Sequence, residues 1–101
     1  MYTMAAGVKV DILSIISQTV KQRAEKQVEG SYTNKLLAGG DNLIIKKLGE
    51  ENAEFIKAFF TGSDSELAGE AADYIYHLIV ALRYRGIGFE KVEEILSGRH
   101  R

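Results

Sequence analysis

Cysteine is absent from this 101-residue sequence, and so are proline and tryptophan. Without cysteine there is no disulfide, no zinc–thiolate site and no thiol nucleophile. That suits a reducing compartment. Proline ordinarily makes up about 5% of residues. Its absence removes the strongest helix breaker and the commonest rigid turn. An excess of positive charge is missing too. Thirteen Lys and Arg stand against fourteen Asp and Glu, a net charge of -1, so nothing points to nucleic acid or to an anionic membrane. No run approaches the roughly 18 apolar residues that a membrane span needs. Lys9 and Asp11 interrupt the N-terminal apolar stretch, and no basic segment precedes it as in a secretory signal. The expected setting is cytoplasmic.

What remains is an ordinary globular composition, 46% apolar and 27% charged, expected to form one domain over residues 1–101. A chain of this size buries only about 60–70% of the surface its unfolded form exposes, so pairing with a second copy would help it. Apolar spacing is helical nearly throughout. Ile12, Ile16, Val20 and Ala24 recur every four residues, with Gly30 expected to end that helix. Ser31 or Thr33 caps a short helix that Gly39-Gly40 closes. Asp41 or Asn42 starts a longer helix to about Phe60. Ser63 and Glu66 have capping-box spacing ahead of a helix over 64–84. Gly86 and Gly88 stop it. A last short helix covers about Phe89 to Leu96, and the tail SGRHR is expected to fray. No strand alternation is visible. The predicted fold is all-α, an antiparallel bundle of four to five helices with two long central helices joined by a short turn.

Three glutamates crowd the stretch GEENAEF, residues 49 to 55. Successive helical residues turn by about 100°. With Glu51 at zero, Ile44 lies at about +20°, Phe55 at about +40°, Leu48 at about +60° and Ala58 at about -20°. Glu51 therefore sits inside the apolar stripe. Glu54 borders it at about -60°, and Glu50, at about -100°, faces the polar side. A solvated surface position accounts for Glu50. It does not account for Glu51, because an ionised carboxylate in an apolar stripe is costly unless something pairs with it. Lys47, one turn back, is a possible partner, but a lone exposed pair contributes only about 0.3–0.5 kcal/mol.

The helix over 64–84 repeats the anomaly. Between Leu67 and Leu82 its only charged or readily titrating residues are Glu70, Asp73 and His77, which share a face. A helix apolar nearly all round is expected to be buried on more than one side. Two neighbouring helices thus each carry an acid pair at i, i+3: Glu51/Glu54 and Glu70/Asp73. Four carboxylates cannot share a low-dielectric pocket unaided, since each raises the others' pKa. A hard divalent cation resolves this. Magnesium takes oxygen ligands and keeps waters or substrate phosphates in its remaining positions, which suggests phosphate chemistry. Lys35, Lys46 and Lys47 lie near enough to neutralise phosphate charge, although each alone also fits a solvated lysine.

The pattern E-E-x-x-E followed by E-x-x-D, here Glu50-Glu51-Asn52-Ala53-Glu54 and Glu70-Ala71-Ala72-Asp73, resembles the all-α nucleotide pyrophosphohydrolases, which include MazG-like enzymes and dimeric dUTPases. Three longer stretches narrow the resemblance to the phosphoribosyl-ATP pyrophosphohydrolase family of histidine biosynthesis. SYTNKLL (31–37) is similar to its S-Y-T/V-x-K/R-L-L segment. KKLGEENAE (46–54) is similar to its K-K-x-G-E-E-x-x-E. EAADYIYHLIVALRYRGIGFEKV (70–92) is similar to its E-A-A-D-x-x-Y-H-x-x-V-x-L-x-x-x-G-x-x-x-x-x-V. The Ser-Tyr-Thr segment and the Tyr76-His77 pair carry the narrower match. Leu48 and Asn52 depart from more usual small residues without touching a proposed ligand.

The resemblance implies hydrolysis of phosphoribosyl-ATP to phosphoribosyl-AMP and pyrophosphate by water attacking between the α- and β-phosphates. It implies Mg²⁺ held by Glu51, Glu54, Glu70 and Asp73. Glu50, Glu51 and Glu54 are then candidate catalytic residues, Glu50 being one that could orient the water. Lys35 and Lys47 are candidate phosphate contacts, and Ser31, Tyr32 and Thr33 candidate substrate contacts. His77 is expected beside the ligands rather than among them, because magnesium prefers oxygen. A homodimer with the site near the subunit contact is also implied. The alternatives are a MazG-like or dUTP-type pyrophosphohydrolase, which would share the acids, and a non-enzymatic helical dimerisation module.

Overall fold

The structure is a computed structural model that describes residues 2, 3 and 9 to 100. Four helices dominate it: α1 (Ile12–Glu25), α2 (Tyr32–Thr61), α3 (Asp64–Tyr84) and α4 (Phe89–Arg99). Ahead of them, two two-residue strands, β1 (Tyr2–Thr3) and β2 (Lys9–Val10), pair antiparallel, with Tyr2 opposite Val10 and Thr3 opposite Lys9. A ribbon of two residues per strand is too short to show as alternation in sequence.

Each helix start has a local chemical cause. Asp11 caps α1, accepting from the Leu13 N–H at 3.0 Å and from the Ser14 hydroxyl at 3.3 Å. Ser31 caps α2 by accepting from the Asn34 N–H at 3.2 Å. Ser63 and Glu66 form the expected capping box at α3, each side chain accepting the other's backbone N–H at 3.1 Å. The N-cap of α4 is Gly88, which has no side chain to offer. Ser17, 2% exposed on α1, does that work from another helix: its hydroxyl accepts from the Phe89 N–H at 3.3 Å and donates to Glu90 Oε2 at 3.1 Å.

Three boundaries test the sequence expectations, and two of them fall elsewhere. α1 ends at Glu25, with Lys26 already extended. Gly30, at φ 81°, instead turns the chain into α2. Asn34 fixes that turn, accepting from the Val28 N–H at 2.8 Å and donating to the Arg23 carbonyl at 2.7 Å. Second, the boundary expected at Gly39-Gly40 is present: the short and the long helix of α2 meet at a break at Gly40, whose φ of 70° and ψ of -165° lie in a region essentially reserved for glycine. Third, the tail does not fray after Leu96: helix continues to Arg99, while Arg101 lies outside the described residues.

The core sits at one end of the molecule. Val20 of α1, Leu36 of the first arm of α2, and Ile79 and Val80 of α3 are each 1% exposed, packed round by Leu13, Ile16, Leu37, Leu43, Tyr76 and Phe89. The other end is the long arm of α2 lying antiparallel on α3. There the apolar content outruns the burial. Ile45, Ile56, Phe59, Phe60, Ile75 and Leu78 are all exposed, Phe60 to 78%. The expectation that α3 is buried on more than one side is therefore not met within a single chain. α2 covers one side, α1 and α4 meet its C-terminal end, and Ile75 and Leu78 face outward.

Leu36→Ala should cost about 2–5 kcal/mol, as for fully buried leucines elsewhere, read from urea denaturation of the whole chain. A loss below about 1 kcal/mol would place Leu36 outside the core.

Candidate active site

The antiparallel pairing of α2 with α3 brings the two acid pairs together. Glu51, Glu70 and Asp73 each offer a carboxylate oxygen within 4.8 Å of the other two, a gap that one cation can fill. Glu54 stands next to Glu70, and with Glu70 and Asp73 it lines an open groove of about 520 Å³ along the hairpin. Glu51 is only 14% exposed, as its place in the apolar stripe requires.

Two oxygens in this cluster, Glu51 Oε2 and Glu70 Oε2, are buried and have no hydrogen-bond partner. A buried polar atom left unpaired forfeits the full desolvation cost of that group. The strain also appears in the acidity of Glu70. Burial pushes its carboxyl above the usual range, the adjacent Glu54 carboxyl adds to this, and the charges of Glu54, Asp73 and Glu51 add further. An oxygen-only donor set with two orphaned oxygens fits a hard divalent cation and fits no softer metal.

His77 stands behind the cluster, 8% exposed. Its Nδ1 lies 2.8 Å from the Asp73 carbonyl oxygen, which can only accept, so Nδ1 carries the hydrogen and donates. Nε2 then accepts from the Tyr32 hydroxyl at 3.1 Å. The same Nδ1 is 3.9 Å from Glu51 Oε1. His77 therefore adjoins the acids and is not one of the three whose oxygens converge.

The other sequence candidates are spread more widely. Ser31 is occupied as the α2 cap. Thr33 is buried and its hydroxyl is bonded to the Tyr76 hydroxyl. Tyr32 is 44% exposed, with its ring stacked on Tyr76 at a centroid distance of 6.3 Å. Lys35 and Lys46 are exposed on α2. Lys47 does not pair with Glu51. It takes Glu50 instead, at 3.2 Å, one residue short of the expected spacing, because Glu50 shares its solvent-facing side whereas Glu51 turns inward. The Glu50 hydrogen bond holds the Lys47 ammonium above its ordinary range. Glu50 is thus a surface residue of this cluster, outside the three-acid gap. Asn52, unusual by the family pattern, donates to the Tyr74 hydroxyl at 3.0 Å and so ties α2 to α3 on the far side of the acids.

One residue with a claim on the site went unremarked in the sequence. Lys57 lines the groove together with Glu54, Glu70 and Asp73, the one cation among its lining residues. The signal was available: Lys57 follows Glu54 by three residues on the same helix, so the two share a face.

Paired acids facing one another from two helices agree with the class of hydrolase that the acid motifs resemble, and comparison with known families makes that class specific. Residues 13–100 match the phosphoribosyl-ATP pyrophosphohydrolase family, and the chain belongs to it. It is 46% identical over 89 residues to the histidine biosynthesis bifunctional protein HisIE of Parasynechococcus marenigrum (strain WH8102), covering 88% of this chain and 40% of that protein. It is 43% identical over 91 residues to the protein of the same name from Nostoc sp. (strain PCC 7120 / SAG 25.82 / UTEX 2576), covering 42% of it. Against the phosphoribosyl-ATP pyrophosphatase of Pelotomaculum thermopropionicum it is 40% identical over 89 residues, covering 88% of this chain and 91% of the relative. The chain therefore spans about two-fifths of the bifunctional relatives and nearly the whole of the monofunctional one.

The raised pKa of Glu70 sets a direction for stability. A carboxyl that binds its proton more tightly folded than unfolded favours folding as pH falls towards the usual carboxylate range, and loses that contribution as pH rises past its folded value. In EDTA, the thermal midpoint of the wild type should drop more between mildly acidic and neutral pH than that of Glu70→Gln, which should also melt higher at neutral pH. Parallel melting profiles for the two proteins would refute the crowding of Glu70.

Proposed function

We propose that this chain hydrolyses phosphoribosyl-ATP to phosphoribosyl-AMP and pyrophosphate, the second step of histidine biosynthesis, with magnesium as the cofactor. Membership of the family across residues 13–100 supports the reaction. The observation that carries the metal is the pair of orphaned oxygens, Glu51 Oε2 and Glu70 Oε2, in a three-acid gap.

Glu51, Glu70 and Asp73 supply the inner oxygens, and Glu54 borders them at the groove edge. A bound magnesium there would polarise a phosphoryl oxygen and lower the pKa of the attacking water. The groove between the helices, about 520 Å³, is within the usual size of a small-ligand pocket. Its acidic wall would repel a bare triphosphate unless a cation held by these acids neutralised it. Lys57, on the same wall, offers an ammonium to a phosphate that the cation does not reach. No described helix is long and apolar enough to cross a membrane.

The proposal extends to a homodimer. The exposed run of Ile45, Ile56, Phe59, Phe60, Ile75 and Leu78 lies on the helices that carry the acids. Exposed apolar surface on this scale marks an interface more often than a free face. Sedimentation equilibrium at micromolar concentration should give about twice the 11.2 kDa chain mass; a single-chain mass would remove the dimer.

The decisive assay follows pyrophosphate release from phosphoribosyl-ATP, dUTP and the common nucleoside triphosphates, with and without Mg²⁺. Release should be magnesium-dependent and favour phosphoribosyl-ATP. A preference for dUTP or a simple nucleotide would point to the broader superfamily, and no release from any of them to a non-catalytic helical module. Glu51→Gln should lower turnover beyond the ~10–100-fold typical of losing an outer partner of a metal site, with an unchanged helical circular dichroism spectrum. Near-normal turnover in that variant would sink the metal assignment.

A further inference from the structure

Two short segments, Ser31-Tyr32-Thr33 and Tyr76-His77, lie more than forty residues apart in sequence and meet in space. Tyr32 donates to His77 Nε2 at 3.1 Å. Thr33 and Tyr76 share a hydroxyl–hydroxyl bond. The Tyr32 ring stacks on Tyr76 and meets the His77 ring edge-on at a centroid distance of 5.9 Å. The break at Gly40 makes this possible, because it lets the first arm of α2 leave the axis of the long arm.

Both ring nitrogens of His77 are therefore committed, one to Tyr32 and one to the Asp73 carbonyl at 2.8 Å. A ring bonded at both ends cannot flip or swing. Its fixed Nδ1 edge lies 3.9 Å from Glu51 Oε1, and the other oxygen of that carboxylate is the orphan. His77 thus touches Asp73 through its backbone and borders the carboxylate of Glu51, one acid from each helix.

We propose that Tyr32 is a positioning residue for the acid cluster. Its hydroxyl pins the His77 imidazole, and the imidazole sets the Glu51 carboxylate and the backbone of Asp73 in the arrangement that receives the cation. Thr33 and Tyr76 hold the arm that carries Tyr32. The proposal rests on the magnesium reading above, and it gives Tyr32 a role other than direct contact with substrate.

Calorimetric titration of the full chain with Mg²⁺, and with Mn²⁺ as a tighter probe, tests this in the absence of substrate. Tyr32→Phe keeps the stacked ring and removes only the hydroxyl. It should weaken metal binding about 10- to 100-fold, the usual cost of losing a partner behind a metal ligand, with the phosphoribosyl-ATP KM at saturating metal within about twofold of wild type. His77→Asn, whose amide can still donate to Asp73 but cannot reach Tyr32, should lose metal affinity to the same degree. Thr33→Val should lower the thermal midpoint with metal affinity nearly intact. Unchanged metal affinity in Tyr32→Phe overturns the proposal, whether or not KM rises; a raised KM would make Tyr32 a substrate contact. Equal losses in Tyr32→Phe and Thr33→Val also overturn it, since the segment would then act only as structural support. A wild type that binds neither metal removes the magnesium reading itself, and this inference with it.

Discussion

The crowding of carboxylates between α2 and α3 is the constraint around which the rest of this small protein is arranged. Like charges at these separations repel, and the half-buried cleft weakens the solvent screening that would otherwise relieve them. Glu70 shows the result directly in a carboxyl held above its ordinary range. Two buried oxygens without donors show it again. A fold selected for stability alone would place other residues at Glu51 and Glu70. The cluster is intelligible as strain kept for function, in keeping with the proposed cation.

The remaining architecture separates that strain from the part of the molecule that holds the fold together. The four fully buried side chains gather where α1, the first arm of α2 and the C-terminal half of α3 meet. The acids sit further along the hairpin, on helices supported from one side. Asn52 and Tyr74 cross-brace the hairpin on the opposite flank, and the Phe55 and Tyr74 rings lie 6.4 Å apart there. This bracing matters because a carboxylate pair on each of two helices repels the helices themselves. Without contacts on the far side, the repulsion would widen the gap that the cation has to span.

Sequence periodicity exposed the residues whose environment is set by their own helix. Glu51 was recognisable because it sits in a stripe of Ile44, Leu48 and Phe55, and the structure leaves it 14% exposed. The Ser63–Glu66 box and the span of α3 were equally plain, since capping is a contact between near neighbours. What stayed hidden depends on distant segments. Asn34 holding the α1–α2 turn, Ser17 capping α4 from another helix, and Thr33 paired with Tyr76 are all contacts that no local pattern encodes. The pairing of Lys47 with Glu50 in place of Glu51 has a similar cause. Spacing allows both, and only the inward turn of Glu51 decides. The apolar surplus of α3 was legible as a quantity, but a sequence does not say whether its own chain or another one covers it.

If the proposed magnesium binds, metal and fold are coupled in this arrangement. A cation that binds the assembled acids and not the unfolded chain stabilises the folded state by RT ln(1 + [M]/Kd), about 2.7 kcal/mol at a hundredfold excess over Kd. The acids must also be deprotonated to bind it. The proton that Glu70 holds too tightly therefore competes with the metal for the same oxygens. On the magnesium proposal, internal repulsion would be relieved either by a proton or by a cation, and only the second would serve phosphate chemistry. The same coupling would give a bonded histidine beside the acids a purpose. An oxygen set that could swing apart would relieve its repulsion by moving, and the affinity that the repulsion stores for a cation would be lost.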